Sequence, residues 1–240
     1  MALIIIGILV GANIYLAQRF AYFFDLASTL PLYILFPFIT IFMIWTVMGL
    51  VNSLSSVGHI LWMAGAITMG LVLYLLIATI GVDLISLAIS IPPATKGWIA
   101  IALTVLISGY GLWNATQTKV NEVDITIDGL KEPIRAAHLT DTHLGHFRGG
   151  EKLQQIVEMI NKEKVDVVFF TGDLLDAAMQ LKPEAMQPLQ NLNAPVYFIE
   201  GNHDEYTGVK AIKEYLKSIG IHVLENEVTH FKELQVVGLT

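Results

Sequence analysis

No cysteine occurs among the 240 residues, which excludes disulfides and thiolate metal sites and leaves the redox compartment open. Charge is scarce as well: 15% of the residues are charged, where an ordinary soluble domain carries about 25%. The scarcity is local. Residues 1–118 hold only Arg19, Asp25, Asp83 and Lys96, while the remainder holds 12 Lys and Arg against 19 Asp and Glu. That acidic half has no basic stripe, so nucleic acid is not an expected partner, because phosphate backbones need clustered Lys and Arg. Internal repeats and low-complexity tracts are also lacking.

What is abundant is apolar sequence. Hydrophobic residues make up 54% of the chain and the mean hydropathy is +0.61. Four stretches, 2–17, 30–50, 60–80 and 98–113, approach the roughly 17–25 residues that a hydrocarbon core requires. Tyr22, Trp98, Tyr110 and Trp113 fall near their ends, where amphipathic rings favour the headgroup zone. The first stretch has no positive n-region and no clear small-residue cleavage site, so it reads as a retained span rather than a secretory signal. A transporter would carry ionisable groups inside its spans. Here all four charges are expected in loops, so a membrane anchor of about four helices over residues 1–118 is preferred, in a multi-pass protein of the cell membrane.

Residues 114–121 (NATQTKVN) read as a polar linker, and residues 119–240 as a layered α/β domain with a mostly parallel central sheet. Strands are expected at 123–127, 134–140, 165–171 and 195–200, with a hairpin at 228–231 and 234–237. Helices are expected from Gly149-Gly150 to about Glu163, over 183–192 and over 207–218. In the first of these, Leu153, Ile156, Val157 and Ile160 recur at helical spacing on one face.

Three clusters follow the strands: Asp141-Thr142-His143, Gly172-Asp173-Leu174-Leu175-Asp176 and Gly201-Asn202-His203-Asp204-Glu205. Ligands collect at the carboxyl ends of strands in an open α/β sheet, so these loops can converge. Aspartate, histidine and asparagine together offer oxygen and imidazole nitrogen, a set suited to manganese, iron or zinc. An isolated D-x-H would more simply be a loop-capping aspartate beside an exposed histidine. Three clusters in order, each after an apolar strand and two of them led by glycine, reverse that preference.

The series D-x-H, G-D-x-x-D, G-N-H-[D/E] resembles the signature of the calcineurin-like metallophosphoesterases over about residues 123–240. The intervals fit too: 28 residues separate His143 from Gly172 and 24 separate Asp176 from Gly201, room for one helix and one strand each. The resemblance implies two divalent metal ions, with Asp141, His143 and Asp173 on the first and Asp173 and Asn202 on the second. It also implies a catalytic pair, His203 and Asp176, acting on a phosphate monoester or diester. Asp204 is expected to cap the turn after Asn202, and His146 either to approach the substrate phosphate or to lie at the surface. Hydrophobic spans, a linker and then this domain look like membrane-bound bacterial phosphoesterases, some of which act on lipid-linked or nucleotide-linked esters.

The pattern also departs from the family. Its members carry a further histidine and a G-H-x-H after the third cluster, whereas only His222 and His230 follow Glu205 here. The chain is therefore expected to be an incomplete form of a longer enzyme. The alternative function is a catalytically incomplete fragment or pseudoenzyme lacking those ligands. Ala177 in place of arginine, and Asp204 in place of glutamate, argue against protein-phosphatase specificity.

Overall fold

The structure is a computed structural model and describes residues 2–176 and 183–240. Ala177 lies outside the described residues. The chain divides into two compact units, residues 1–51 with 55–119, and residues 52–54 with 120–240.

In the first unit the helices are α1 (Ala2–Phe23), α2 (Leu30–Gly49), α3 (Ser56–Ile85) and α4 (Pro93–Thr116). All four are long and apolar enough to cross a membrane. Polar side chains link neighbours: the Thr40 hydroxyl donates to Asn13 Oδ1 at 2.9 Å, and Trp62 Nε1 donates to the Val47 carbonyl at 3.1 Å. Helices α2 and α3 approach closely at Gly65, where a Cβ would come within 2.9 Å of Thr46 Cβ.

Helices α1, α3 and α4 outrun their apolar windows while α2 matches its own, and the placement of the charges changes accordingly. Arg19 lies inside α1, Asp83 inside α3 and Lys96 in the first turn of α4; only Asp25 falls between helices. Apolar windows stop at a charge, whereas helical hydrogen bonding continues wherever the charge finds a partner. Arg19 pairs with Asp83, whose other oxygen accepts from the Tyr15 hydroxyl at 2.7 Å. Lys96 donates to the Ser86 hydroxyl at 2.8 Å. The Arg19–Asp83 pair is mutually neutralised and ties α1 to α3. Replacing Asp83 by leucine should strand the guanidinium and cost about 2 kcal/mol, between the exposed and buried limits for ion pairs. Thermal unfolding in detergent should show that loss, and Arg19→Leu/Asp83→Leu should recover most of it.

The second unit is built on a parallel sheet of β1 (Ala136–Leu139), β2 (Val167–Thr171), β3 (Val196–Ile199) and β4 (His222–Val223), in that spatial order. Leu139 pairs with Phe170 and Phe170 with Phe198. Strands in such register and direction end together, so the loops after β1, β2 and β3 share one edge. Helix α5 (Gly150–Lys162) buries Leu153 and Val157 completely against Val168, Phe170 and Phe198. The opposite face packs Val167, Tyr197 and Leu224 against Phe231 and Val236 of the hairpin β5 (Glu227–Phe231) and β6 (Leu234–Gly238). Each fully buried phenylalanine or leucine contributes about 1.5–3 kcal/mol, which makes the sheet a stiff base for its loops.

Several expectations are corrected. Residues 123–127 form no strand: Val123 and Ile125 stay 78% and 76% exposed, because alternation alone gives a segment no partner to pair with. The helix expected over 183–192 is α6 (Pro183–Met186) followed by a 3₁₀ turn at Gln187–Asn191, since Pro188 supplies no amide hydrogen to an α-helix. The helix expected over 207–218 is α8 (Val209–Ser218), and an unexpected short helix, α7 (Asn202–Thr207), precedes it across Gly208 at φ +103°. Pro93, whose fixed φ suits a first helical residue, opens α4 after Pro92. Strand β4 was not expected.

Candidate metal centre

Asp141 and His143 leave β1 in a loop that pairs with the loop after β2. The Asp141 amide donates to the Gly172 carbonyl at 3.2 Å, that of His143 to the Asp173 carbonyl at 3.0 Å, and that of Leu144 to the Leu174 carbonyl at 2.9 Å. Three of the residues on these loops take left-handed backbone conformations: Asp141 at φ +55°, His143 at +45° and Asp173 at +53°. Such conformations are uncommon outside glycine and concentrate at functional sites. Glycine holds the remaining close approach. A Cβ on Gly172 would lie 2.7 Å from the Gly201 Cα, and one on Gly201 would lie 2.6 Å from the Asp173 amide nitrogen.

This backbone aims the side chains inward. His143 Nε2 stands 3.5 Å from Asp141 Oδ1 and 3.8 Å from Asp173 Oδ2. One ligand atom from each of the three falls within 4.8 Å of the others. Two atoms each about 2.1 Å from one ion lie about 3.0 Å apart when cis in an octahedron and about 4.2 Å when trans. The observed 3.5 and 3.8 Å fit inside that window, so the residues present suit a divalent cation. Two carboxylates and an imidazole nitrogen match the ligand preferences of manganese, iron and zinc. The Thr140 hydroxyl, 2.7 Å from Asp141 Oδ2, holds that carboxyl below its usual range; slight burial opposes and the His143 ring assists.

Asp173 is only 14% exposed, and its Oδ1 accepts the His203 amide at 3.0 Å. Asn202, the exposed first residue of α7, stands between that amide and Gly201. His203 Nδ1 lies 3.0 Å from Asp176 Oδ1. His146 is buried in the loop after His143 and Glu205 is exposed. His138 is exposed and bonds Thr171 Oγ1 at 2.8 Å. His222 stacks on Tyr197 at 4.9 Å, and His230 lends its carbonyl to the Tyr197 hydroxyl. Among the described residues the three clusters thus meet without those last two histidines.

Two residues matter more than their sequence suggested. Asp204 does cap its turn, accepting the Gly201 amide at 3.0 Å, but its other oxygen also accepts the amides of Leu174 and Leu175 at 3.0 and 3.2 Å. It is fully buried, and burial pushes its carboxyl up while those backbone donors pull it back. One carboxylate therefore pins the loop after β2 to the loop after β3. Arg148 was overlooked: its guanidinium donates to the Asp141 and Thr142 carbonyls at 3.2 and 3.4 Å, satisfying groups that the left-handed turns take out of the sheet ladder. A basic residue a few positions after D-x-H was the available signal.

The family described as calcineurin-like phosphoesterase has a model that matches residues 134–239. A Danio rerio transmembrane protein with metallophosphoesterase domain is 40% identical over 135 residues, 53% of this chain and 31% of that protein. An uncharacterized metallophosphoesterase of Helicobacter pylori is 27% identical over 151 residues, 60% of this chain and 40% of that protein. One from Aquifex aeolicus is 25% identical over 140 residues, 57% of this chain and 54% of that protein. The chain spans about a third of the length of the first of these relatives and about half of the third.

Proposed function

We propose, from the match of residues 134–239 to the calcineurin-like phosphoesterase model, that the chain is a membrane-anchored, metal-dependent phosphoesterase that hydrolyses phosphate monoesters or diesters. The observation that carries this reading is the approach of Asp141, His143 and Asp173 to within 4.8 Å of one another, from two strand ends. Asp141, His143 and Asp173 would hold one divalent cation, and Asp173 with Asn202 a second. Such ions, when bound, lower the pKa of a water and neutralise charge on the phosphoryl oxygens.

The chain's own residues supply the rest. Asp176 Oδ1 stands 3.0 Å from His203 Nδ1, where it would favour a proton and leave Nε2 as the nitrogen that meets the substrate, able to stabilise a phosphoryl oxygen or protonate the leaving oxygen. The paired loops keep that imidazole beside the ligand set; the His143 and His203 rings meet edge to face at 4.6 Å. Asp173, little exposed, turns its Oδ2 towards the space that Asp141 and His143 also face. Four helices of membrane-spanning length tether the domain to a bilayer, which favours lipid-linked esters among the substrates, with nucleotide-linked esters as the other class.

Manganese-stimulated hydrolysis of bis(p-nitrophenyl) phosphate by the full chain in detergent tests the proposal. His203→Ala should lower turnover by about 10²–10⁴, the usual worth of general acid catalysis, while leaving manganese binding in place. Unchanged turnover would remove His203 from the mechanism. A second reading, metal binding without turnover, is favoured by the placement of His222 and His230 against Tyr197. Manganese uptake without manganese-dependent hydrolysis would select it.

A further inference from the structure

We propose that Asp176 positions the metal-ligating His143 as well as His203, so that one carboxylate oxygen sets the orientation of both imidazoles. The inference rests on the proposed metal centre and adds a role to it. Asp176 Oδ1 lies 3.0 Å from His143 Nδ1 and 3.0 Å from His203 Nδ1. A carboxylate oxygen accepts two hydrogen bonds without strain. A neutral imidazole carries one ring proton, and a carboxylate at Nδ1 draws it there. His143 then turns an unprotonated Nε2 towards Asp141 Oδ1 and Asp173 Oδ2. That is the tautomer a metal ligand must have, and partners of this kind both select it and hold the ring in place.

The backbone fixes the same arrangement. The Leu144 amide donates to the Leu174 carbonyl and the Asp176 amide to the Leu144 carbonyl, each at 2.9 Å, so Leu144 and Leu175 form a short parallel bridge. The loop that carries His143 and the turn that carries Asp176 are therefore one hydrogen-bonded unit. Gly145 allows it: a Cβ there would stand 3.0 Å from Asp176 Cβ. The edge-to-face contact of the two rings, with 87° between their planes, leaves both Nδ1 atoms converging on a single oxygen. His143, Asp176 and His203 could also be grouped as ligands of one ion. The His143 Nδ1–Asp176 Oδ1 contact is already a hydrogen bond, however, and an ion on Nδ1 would force the ring proton onto Nε2, the nitrogen that faces Asp141 and Asp173.

Losing Asp176 should thus do two separable things: weaken metal binding through His143 and impair His203. Manganese affinity, measured by calorimetry on the full-length chain in detergent, reads the first without reference to turnover. Asp176→Asn should weaken manganese by about 10–100-fold, the usual worth of such a partner, and Asp176→Ala by at least as much. The pair guards against misfolding, because the amide variant is isosteric and Asp176 is partly exposed; circular dichroism should match the wild type. His203→Ala should keep near-wild-type affinity. Wild-type affinity in Asp176→Asn and Asp176→Ala would overturn the proposal, and so would an equal loss in His203→Ala. Asp173→Asn is the control: if it too binds manganese normally, the metal centre itself is wrong, a failure distinct from that of Asp176.

Discussion

Asp173→Asn is expected to abolish manganese-dependent phosphoesterase activity, lowering turnover by about 10³-fold or more, and to remove most metal binding with it. Asp173 is a carboxylate that faces both halves of the site with separate oxygens. Its Oδ2 is turned to His143 Nε2 at 3.8 Å, and its Oδ1 takes the His203 amide at 3.0 Å. The substitution keeps the shape and removes the charge that neutralises the cations. Transition-state charge stabilisation by bound ions is worth several kcal/mol, and each 1.36 kcal/mol is a factor of ten in rate. The left-handed backbone at Asp173, φ +53°, is tolerated by asparagine, so the fold should survive and the loss should lie in the chemistry. Calorimetry and hydrolysis of bis(p-nitrophenyl) phosphate on the same preparation would check both halves.

Asp204→Leu should have the largest effect on stability. Three backbone amides lose their acceptor, those of Leu174 and Leu175 in a buried place and that of Gly201 in a partly buried one. An unsatisfied buried donor costs about 1–3 kcal/mol. Partial relaxation brings the expected sum to about 3–5 kcal/mol, a large part of an ordinary domain's stability of about 5–15 kcal/mol. Chemical denaturation should register that loss. Asp204→Glu, which keeps the carboxylate, should recover part of it. Metal affinity should fall in parallel, because the same carboxylate holds the loop of Asp173 to the loop of Asn202. A variant with unchanged stability would show that the two loops are held by other means.

These residues also show what the sequence could and could not disclose. The strands that deliver Asp141, Asp173 and Asn202 were legible because apolar runs ending in glycine or aspartate turns are local signals. The convergence of their ends followed from parallel strand order, a general property of such sheets. Asp204 was legible only as a local cap. Its bonds to Leu174 and Leu175 cross 30 and 29 positions, and no local pattern encodes them. Arg148 escaped for the same reason: its value lies in the carbonyls of Asp141 and Thr142, freed by turns that the side-chain sequence does not announce. Where residues were misplaced, a tertiary partner was the missing term. Val123 to Ile127 alternates like a strand and finds no neighbour, whereas Arg19 and Asp83 look like loop residues and find each other inside helices.

The most direct test of the metal centre is manganese titration of the full chain followed by electron paramagnetic resonance. The arrangement of Asp141, His143, Asp173 and Asn202 should take up two manganese ions per chain and give the spectrum of a coupled pair, and Asp141→Asn or Asp173→Asn should lose it. Uptake that is absent, or that both substitutions leave unaltered, would contradict the account.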